Sequence, residues 1–281
     1  MSAASPDQEL QIDKRHYYYI ESLAPRLFPK FVQGVLRWFT NFGNGALVVK
    51  LETLAAVNVE RAARRPVIVV TDVADGGQRL VKAADIAADP LRAELTKQLR
   101  MGKSGMIEAD GRKLFLNVYA PTAKLVIVGA VHISQALAPL ARSLDYDVTV
   151  VDPRTAFASP ERFPDVPLIA EWPDVALPPL NVDPYTAFVA LTHDPKIDDQ
   201  ALLHAFEREC FYIGALGSRK THAKRGERLK AQGARESDIS RIHAPIGLPI
   251  GAVSPSEIAV AIMAEITAQL RLPPKEKEAA A

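Results

Sequence analysis

Predominantly apolar runs punctuate the second half of the chain: Leu125–Val128, Val148–Val151, Ala187–Thr192 and Phe211–Ile213. A half-solvated strand alternates apolar and polar residues, so runs of this kind predict strands buried on both faces. A shorter strand is expected at Pro167–Ala170. Between and after the runs, helical spacing predicts helices at His132–Leu144, Asp198–Glu209, Thr221–Gln232, Glu236–Ile242 and Pro255–Leu270. The last opens with Ser254 as N-cap, Pro255 at the first helical position and Glu257 three residues past the cap, a capping box. Strand–helix alternation predicts an α/β fold with a doubly wound parallel sheet.

The first half patterns differently. A helix is expected over Glu21–Asn41, with Phe31, Val35, Trp38 and Phe42 at helical spacing, a stripe that reads first as a packing face. Strands are expected at Ala46–Leu51, Pro66–Thr71 and Lys113–Val118, a turn at Asp75-Gly76-Gly77 and a helix near Pro90–Leu99. Tyr119-Ala120-Pro121-Thr122 is the expected linker, because Pro121 ends the strand before the periodicity restarts. The expected organisation is a smaller N-terminal α+β domain over 1–121, the parallel-sheet domain over 122–272 and a polar tail over 273–281.

Composition narrows the function classes. The 281 residues carry a formal net charge of +1, too little to make nucleic acid the expected partner. The single cysteine, Cys210, excludes an intrachain disulfide and a cysteine-rich metal site. Preceding a buried strand, it reads as an inert core thiol before a reactive one. No apolar run reaches transmembrane length, and Met1–Lys14 is too polar for a signal peptide, so a cytoplasmic location is expected.

The turn Gly129-Ala130-Val131-His132 follows the first buried strand where a dinucleotide-binding fold places G-x-G-x-x-G/A. Here the three positions hold Gly129, Val131 and Ser134. A valine stands where a missing side chain normally admits pyrophosphate. Ligands of such sheets bind outside the carboxyl ends of the strands, so the residues delivered there are the candidates. They are Gly129 and His132; Asp152 and Arg154; His193 and Asp194; and Gly214, Gly217, Ser218, Arg219, Lys220 and His222. Asp152 suits a ribose diol or a strand-end turn. The Gly214–His222 segment, glycine-rich and cationic ahead of a helix, suits an anion or a solvated surface turn. The histidines suit acid–base or metal chemistry or plain structural hydrogen bonding; no metal-ligand spacing is evident, and the metal remains unknown.

Four ordered stretches carry a resemblance: GAVHISQALAPLARSLDYDVTVVDPRTAFASPERFP, LTHDPKIDD, FYIGALGSRKTHAKRGERLK and IHAPIGLPIGAVSPSEIAVAIMAEI. Val126–Leu270 resembles the C-terminal Rossmann domain of the XdhC/CoxI family, accessory factors for molybdenum hydroxylases. The resemblance implies a Rossmann-like domain behind a smaller N-terminal domain. It implies transient binding of molybdenum cofactor, as molybdopterin or its cytosine dinucleotide, with help in its sulfuration and insertion into xanthine dehydrogenase or aerobic carbon monoxide dehydrogenase. Such a factor is a maturation chaperone before it is a turnover enzyme. Its partners are an apo-hydroxylase and, as further candidates, a cysteine desulfurase and a second copy of the chain. The stretch 55–112 lacks the cysteine-containing segment of the family, which points to a shortened, CoxF-like branch. On this reading Gly217, Ser218, Arg219 and Lys220 meet the phosphate, Asp152 and Arg154 hold polar groups, and His132, His193 and Asp194 face the metal end. An NAD(P)-dependent oxidoreductase ranks second, with Val131 against it. A non-catalytic docking protein using the Phe31, Trp38 and Phe39 face ranks third.

Overall fold

The computed structural model describes residues 50–273. The expected helix Glu21–Asn41, its aromatic stripe and most of the expected strand Ala46–Leu51 lie outside the described residues. Two compact units divide the chain after Pro121.

In the first unit, helix α1 (Leu51–Ala62) precedes β1 (Val67–Asp72), β2 (Gln78–Lys82), a 3-10 turn at Ala83–Ala88, α2 (Arg92–Met101), β3 (Gly105–Ala109) and β4 (Arg112–Tyr119). Leu51 opens a helix instead of closing a strand, and α1, β2 and β3 go beyond the sequence reading. The strands form an antiparallel sheet ordered β2-β1-β4-β3. Asp75-Gly76-Gly77 makes the β1–β2 turn, with the Asp75 carboxylate accepting from Gly77 N–H at 2.7 Å. Ile68, Val70, Leu114 and Leu116 pack under Leu91 and Leu95, while Val67 and Val69 face Val57 of α1.

Glu60 is buried at the foot of α1 and accepts from Arg65 Nε at 2.6 Å and pairs with Lys82 Nζ at 3.0 Å. Hydrogen bonds from Arg65, then Lys82, hold its carboxyl at about 2, below the ordinary 4.5. A carboxyl depressed on folding stabilises the fold above its unfolded pKa and stops doing so as pH falls through the folded one. Thermal melts of the chain and of Glu60→Gln should therefore differ most above pH 4.5 and converge as pH falls toward about 2. A gap independent of pH would refute the ion-pair role.

The second unit runs β5 (Lys124–Val128), α3 (His132–Ser143), β6 (Asp147–Val151), β7 (Leu168–Ile169), α4 (Pro173–Ala176), β8 (Thr186–Ala190), α5 (Pro195–Glu207), β9 (Tyr212–Ala215), α6 (Arg219–Ala231), α7 (Glu236–Ile239), β10 (Ile242–His243) and α8 (Pro255–Arg271). The six parallel strands are ordered β10-β9-β8-β5-β6-β7, so the chain winds outward in both directions from β5. Leu125, Ile127, Val189 and Tyr212 pack under α3 and α8. Val126, Val128, Phe188, Ala190 and Ile213 face α5. Burying each large apolar side chain contributes roughly 1.5–3 kcal/mol. Ser254 and Glu257 form the expected capping box at α8. Helix α5 begins three residues before expectation, because Asp194 caps it and Pro195 takes the first position. His243 closes β10.

Candidate functional site

The winding reverses between β5 and β8, and at such a switch point the two strand ends open a crevice. Gly129 leaves β5 at φ +117°, donating its N–H to Val151 at 2.8 Å. A Cβ there would lie 2.9 Å from Thr192 Cγ2 and 3.1 Å from Thr192 N. The glycine is thus required by the approach of the chain after β8, whatever ligand is present. Val131 is the N-cap of α3 without a capping side chain, and His132 is exposed on the first turn.

Asp152, at the end of β6, is fully buried. Its Oδ2 accepts from Ala130 N–H at 2.7 Å and Arg154 Nη2 at 2.8 Å. Its Oδ1 accepts from the Arg154 backbone N–H and Nε, both at 2.9 Å. Burial pushes the carboxyl up, but the bonds from Arg154 and Ala130 outweigh it and hold the group below its ordinary value. Of the two readings of Asp152, the geometry is that of the strand-end turn: both oxygens accept from the protein, and Arg154 is the half-exposed member. The Asp152 bond, then the charges of Asp194 and Asp198, raise the Arg154 pKa.

After β8 the chain passes through Thr192 and His193. His193 is exposed at φ +63°, and its N–H donates to Asp198 Oδ2 at 3.1 Å. The Asp194 carboxylate accepts from Lys196 N–H at 3.0 Å as the cap of α5. Asp198, buried, also accepts from Thr192 Oγ1 at 2.6 Å. Burial pushes its carboxyl above the ordinary range, against the bonds from Thr192 and the nearby Arg225 charge.

Gly214, expected in the cationic loop, lies inside β9 instead. A Cβ there would come within 2.5 Å of Ile246 and 2.8 Å of the Tyr212 ring, so the position serves packing. Gly217 makes the turn at φ +139°, and Ser218 caps α6, accepting from Thr221 N–H at 3.2 Å. Arg219 and Lys220 are exposed on the first turn of α6, which carries no acidic residue. Cations at the positive end of a helix dipole cost a few tenths of a kcal/mol each, a cost that a bound anion reverses. His222 is half-buried on the helix, its Nδ1 without a hydrogen-bond partner among the described residues, and burial, then Arg225, lowers its pKa.

Arg225 is buried, although in sequence it is one of the cations, with Lys224 and Arg228, that continue the charge along α6. Its side chain is 2% exposed. From the second turn of α6 it reaches back to donate Nη2 to the Leu216 carbonyl at 2.8 Å, and it lies 3.9 Å from Asp198. Its Nε and Nη1 are buried without a hydrogen-bond partner among the described residues. Arg228 forms a two-point pair with Asp199 at 2.6 and 3.0 Å, tying α6 to α5. Phe157, also absent from the candidates, stacks beneath Arg154 with 4.4 Å between guanidinium carbon and ring centroid. Among the described residues no three His, Cys, Asp or Glu side chains gather to hold a metal, and no helix is long and apolar enough to cross a membrane.

A doubly wound parallel sheet with a glycine turn at its switch point defines a Rossmann-type domain. The chain belongs to the XdhC family: the XdhC Rossmann domain matches residues 125–266, half of the 281 residues. A Bacillus subtilis protein named as a probable subunit of xanthine dehydrogenase is 34% identical over 154 residues, covering 54% of this chain and 44% of that protein. The molybdenum cofactor insertion chaperone PaoD of Escherichia coli is 30% identical over 158 residues, covering 56% of this chain and 43% of the chaperone. The chain thus spans less than half the length of the curated relatives it matches. A crystal structure described as a xanthine dehydrogenase from Bacillus halodurans shares the fold. Its TM-score is 0.54 at 23% identity, over 83% of this chain and 68% of the other.

Proposed function

We propose that this chain binds molybdenum cofactor as transient cargo at the carboxyl edge of the parallel sheet, and assists its sulfuration and its insertion into a molybdenum hydroxylase. The observation that carries the reading is the gathering of cations at the start of α6, with Arg225 buried behind them, in a domain of the XdhC type. The phosphate of the molybdopterin, or the pyrophosphate of its cytosine dinucleotide, meets Gly217, Ser218, Arg219 and Lys220. His132 and His193, exposed at neighbouring strand ends, face the metal end. Arg154 meets the remaining polar part, oriented by Asp152.

Cys210 is the only cysteine of the chain, and burial pushes its thiol up to about 12. A thiol of that kind is no thiolate nucleophile at neutral pH. The sulfur therefore comes from a partner such as a cysteine desulfurase, while this chain holds the acceptor. The client is an apo-hydroxylase such as xanthine dehydrogenase or aerobic carbon monoxide dehydrogenase.

The test is retention. The full chain is incubated with cofactor released from a donor hydroxylase, and molybdenum is counted after gel filtration. The chain should retain the metal, and Arg219→Ala/Lys220→Ala should retain at least about tenfold less, since each charge-assisted hydrogen bond contributes roughly 1.5–3 kcal/mol. A chain that retains none sinks the reading. NADH should not bind, because Asp152 has no oxygen left for a ribose diol.

A further inference from the structure

Arg154 is fixed on one edge and one face. Its Nε and Nη2 edge is engaged by the Asp152 oxygens at 2.9 and 2.8 Å, and Asp152 is itself held by Ala130 N–H. One guanidinium face rests on the Phe157 ring. Phe157 is braced in turn: Arg162 Nη1 donates to its carbonyl at 2.8 Å, and Arg162 Nη2 donates to Gln135 Oε1 at 3.0 Å. What remains of Arg154 is the opposite planar face and the Nη1 edge, on a side chain 32% exposed. Nη1 has no hydrogen bond among the described residues.

Two physical consequences follow. The Arg154 charge is matched by Asp152, with Asp194 and Asp198 close enough to act on it, so a phosphate gains little here compared with the start of α6. A flat, weakly hydrated and already ordered guanidinium is instead a good surface for an aromatic ring, and its ordering has been completed before the ligand arrives.

We propose that Arg154, backed by Phe157, is the stacking subsite for a planar amino-oxo-pyrimidine ring of the ligand, with Nη1 donating to a ring acceptor. The chemistry is shared by a pterin and by cytosine. The inference rests on the reading of this edge as the cofactor site, and it gives that site a polarity: ring at the end of β6, anion at the start of α6. Phe157 acts through Arg154 as a positioning residue.

The probes are 6-hydroxymethylpterin, followed by quenching of its fluorescence, cytidine and pyrophosphate by calorimetry, each titrated into the full chain. Stacking of a base on a side chain contributes enough that its loss weakens binding by about tenfold or more. Arg154→Lys keeps the charge and loses the plane, so ring affinity should fall by about that factor while pyrophosphate affinity stays unchanged. Phe157→Leu should weaken ring binding several-fold, and Phe157→Trp should restore it. Whichever of pterin and cytidine binds tighter in this Arg154-dependent way identifies the ring. Ring binding equal in the chain and both weakened variants overturns the stack, as does binding of pyrophosphate with neither ring. Retention of molybdenum cofactor with unaltered variants would sink the stack alone. Arg154-dependent ring binding without cofactor retention would sink the maturation role alone. Unchanged pyrophosphate binding and melting temperature establish that each variant is folded.

Discussion

Gly129→Ala should lower the melting temperature of the chain by about 10 °C. Two costs add. At φ +117° an L side chain is strained, a cost of roughly 1–3 kcal/mol. The new Cβ would also sit 2.9 Å from Thr192 Cγ2, 3.1 Å from Thr192 N and 3.2 Å from Leu191 C. Two of those three atoms are backbone, so the end of β8 has to move, and overpacking of that kind costs roughly 1–3 kcal/mol more. Each kcal/mol shifts the midpoint by roughly 2–4 °C in a domain of this size. Gly233→Ala is the control. Its φ is +95°, but nothing lies within 4 Å of the Cβ position, so only the strain applies. Thermal melts should show Gly129→Ala losing about twice as much as Gly233→Ala. Equal losses would mean that the two strand ends tolerate separation, and the switch point would not need its glycine for packing.

Gly129 also shows where a sequence speaks and where it stops. The glycine was legible, as were the strands around it, because a parallel strand covered on both faces is largely apolar: Leu125–Val128 is wholly so, and Val148–Val151 is broken only by the half-buried Thr149. Strands β2 and β3 are the edges of an antiparallel sheet, partly solvated and patterned in Gln, Arg, Lys, Glu and Gly, so they left no run to read. Asp194-Pro195 did hold the start signal of α5, a cap followed by proline at the first position. The direction of a side chain is a tertiary fact. Asp152 reads equally as a ligand acceptor or as a group turned inward to Ala130 and Arg154, and only the packed turn decides. Arg225 stands between Lys224 and Arg228, and nothing in the sequence separates it from those cations. Burial singles it out, beside Gly226 and Leu229 on the buried stripe of α6.

That stripe carries the other large effect. Asp198→Ala should cost about 3–5 kcal/mol, the usual result of removing one partner from a buried charged pair. Among the described residues, the substitution leaves the Leu216 carbonyl as the one hydrogen-bond acceptor for Arg225, with Nε and Nη1 already unpaired. It also strips the acceptor from Thr192 Oγ1 and from the N–H groups of Thr192 and His193. Burial works against both charges, lowering the Arg225 pKa and raising that of Asp198, so the pair is poor as a source of stability. Removing both charges while keeping one acceptor oxygen, enough for Thr192 but not for His193, should therefore cost less than the single changes summed. Asp198→Asn/Arg225→Met is the test, with a coupling of roughly 0.5–3 kcal/mol expected from the cycle of melts. Strict additivity would mean that the two groups, 3.9 Å apart, do not sense each other. The pair joins the chain after β8, through His193, to the turn after β9, through Leu216. Both segments border the proposed cargo site, and neither Asp198 nor Arg225 reaches its surface. The double variant should melt above the level expected from the two single losses added, and still retain less molybdenum, because His193 at φ +63° and the Leu216–Gly217 turn lose the bonds that set their positions. Retention equal to the parent would assign the buried pair to folding alone.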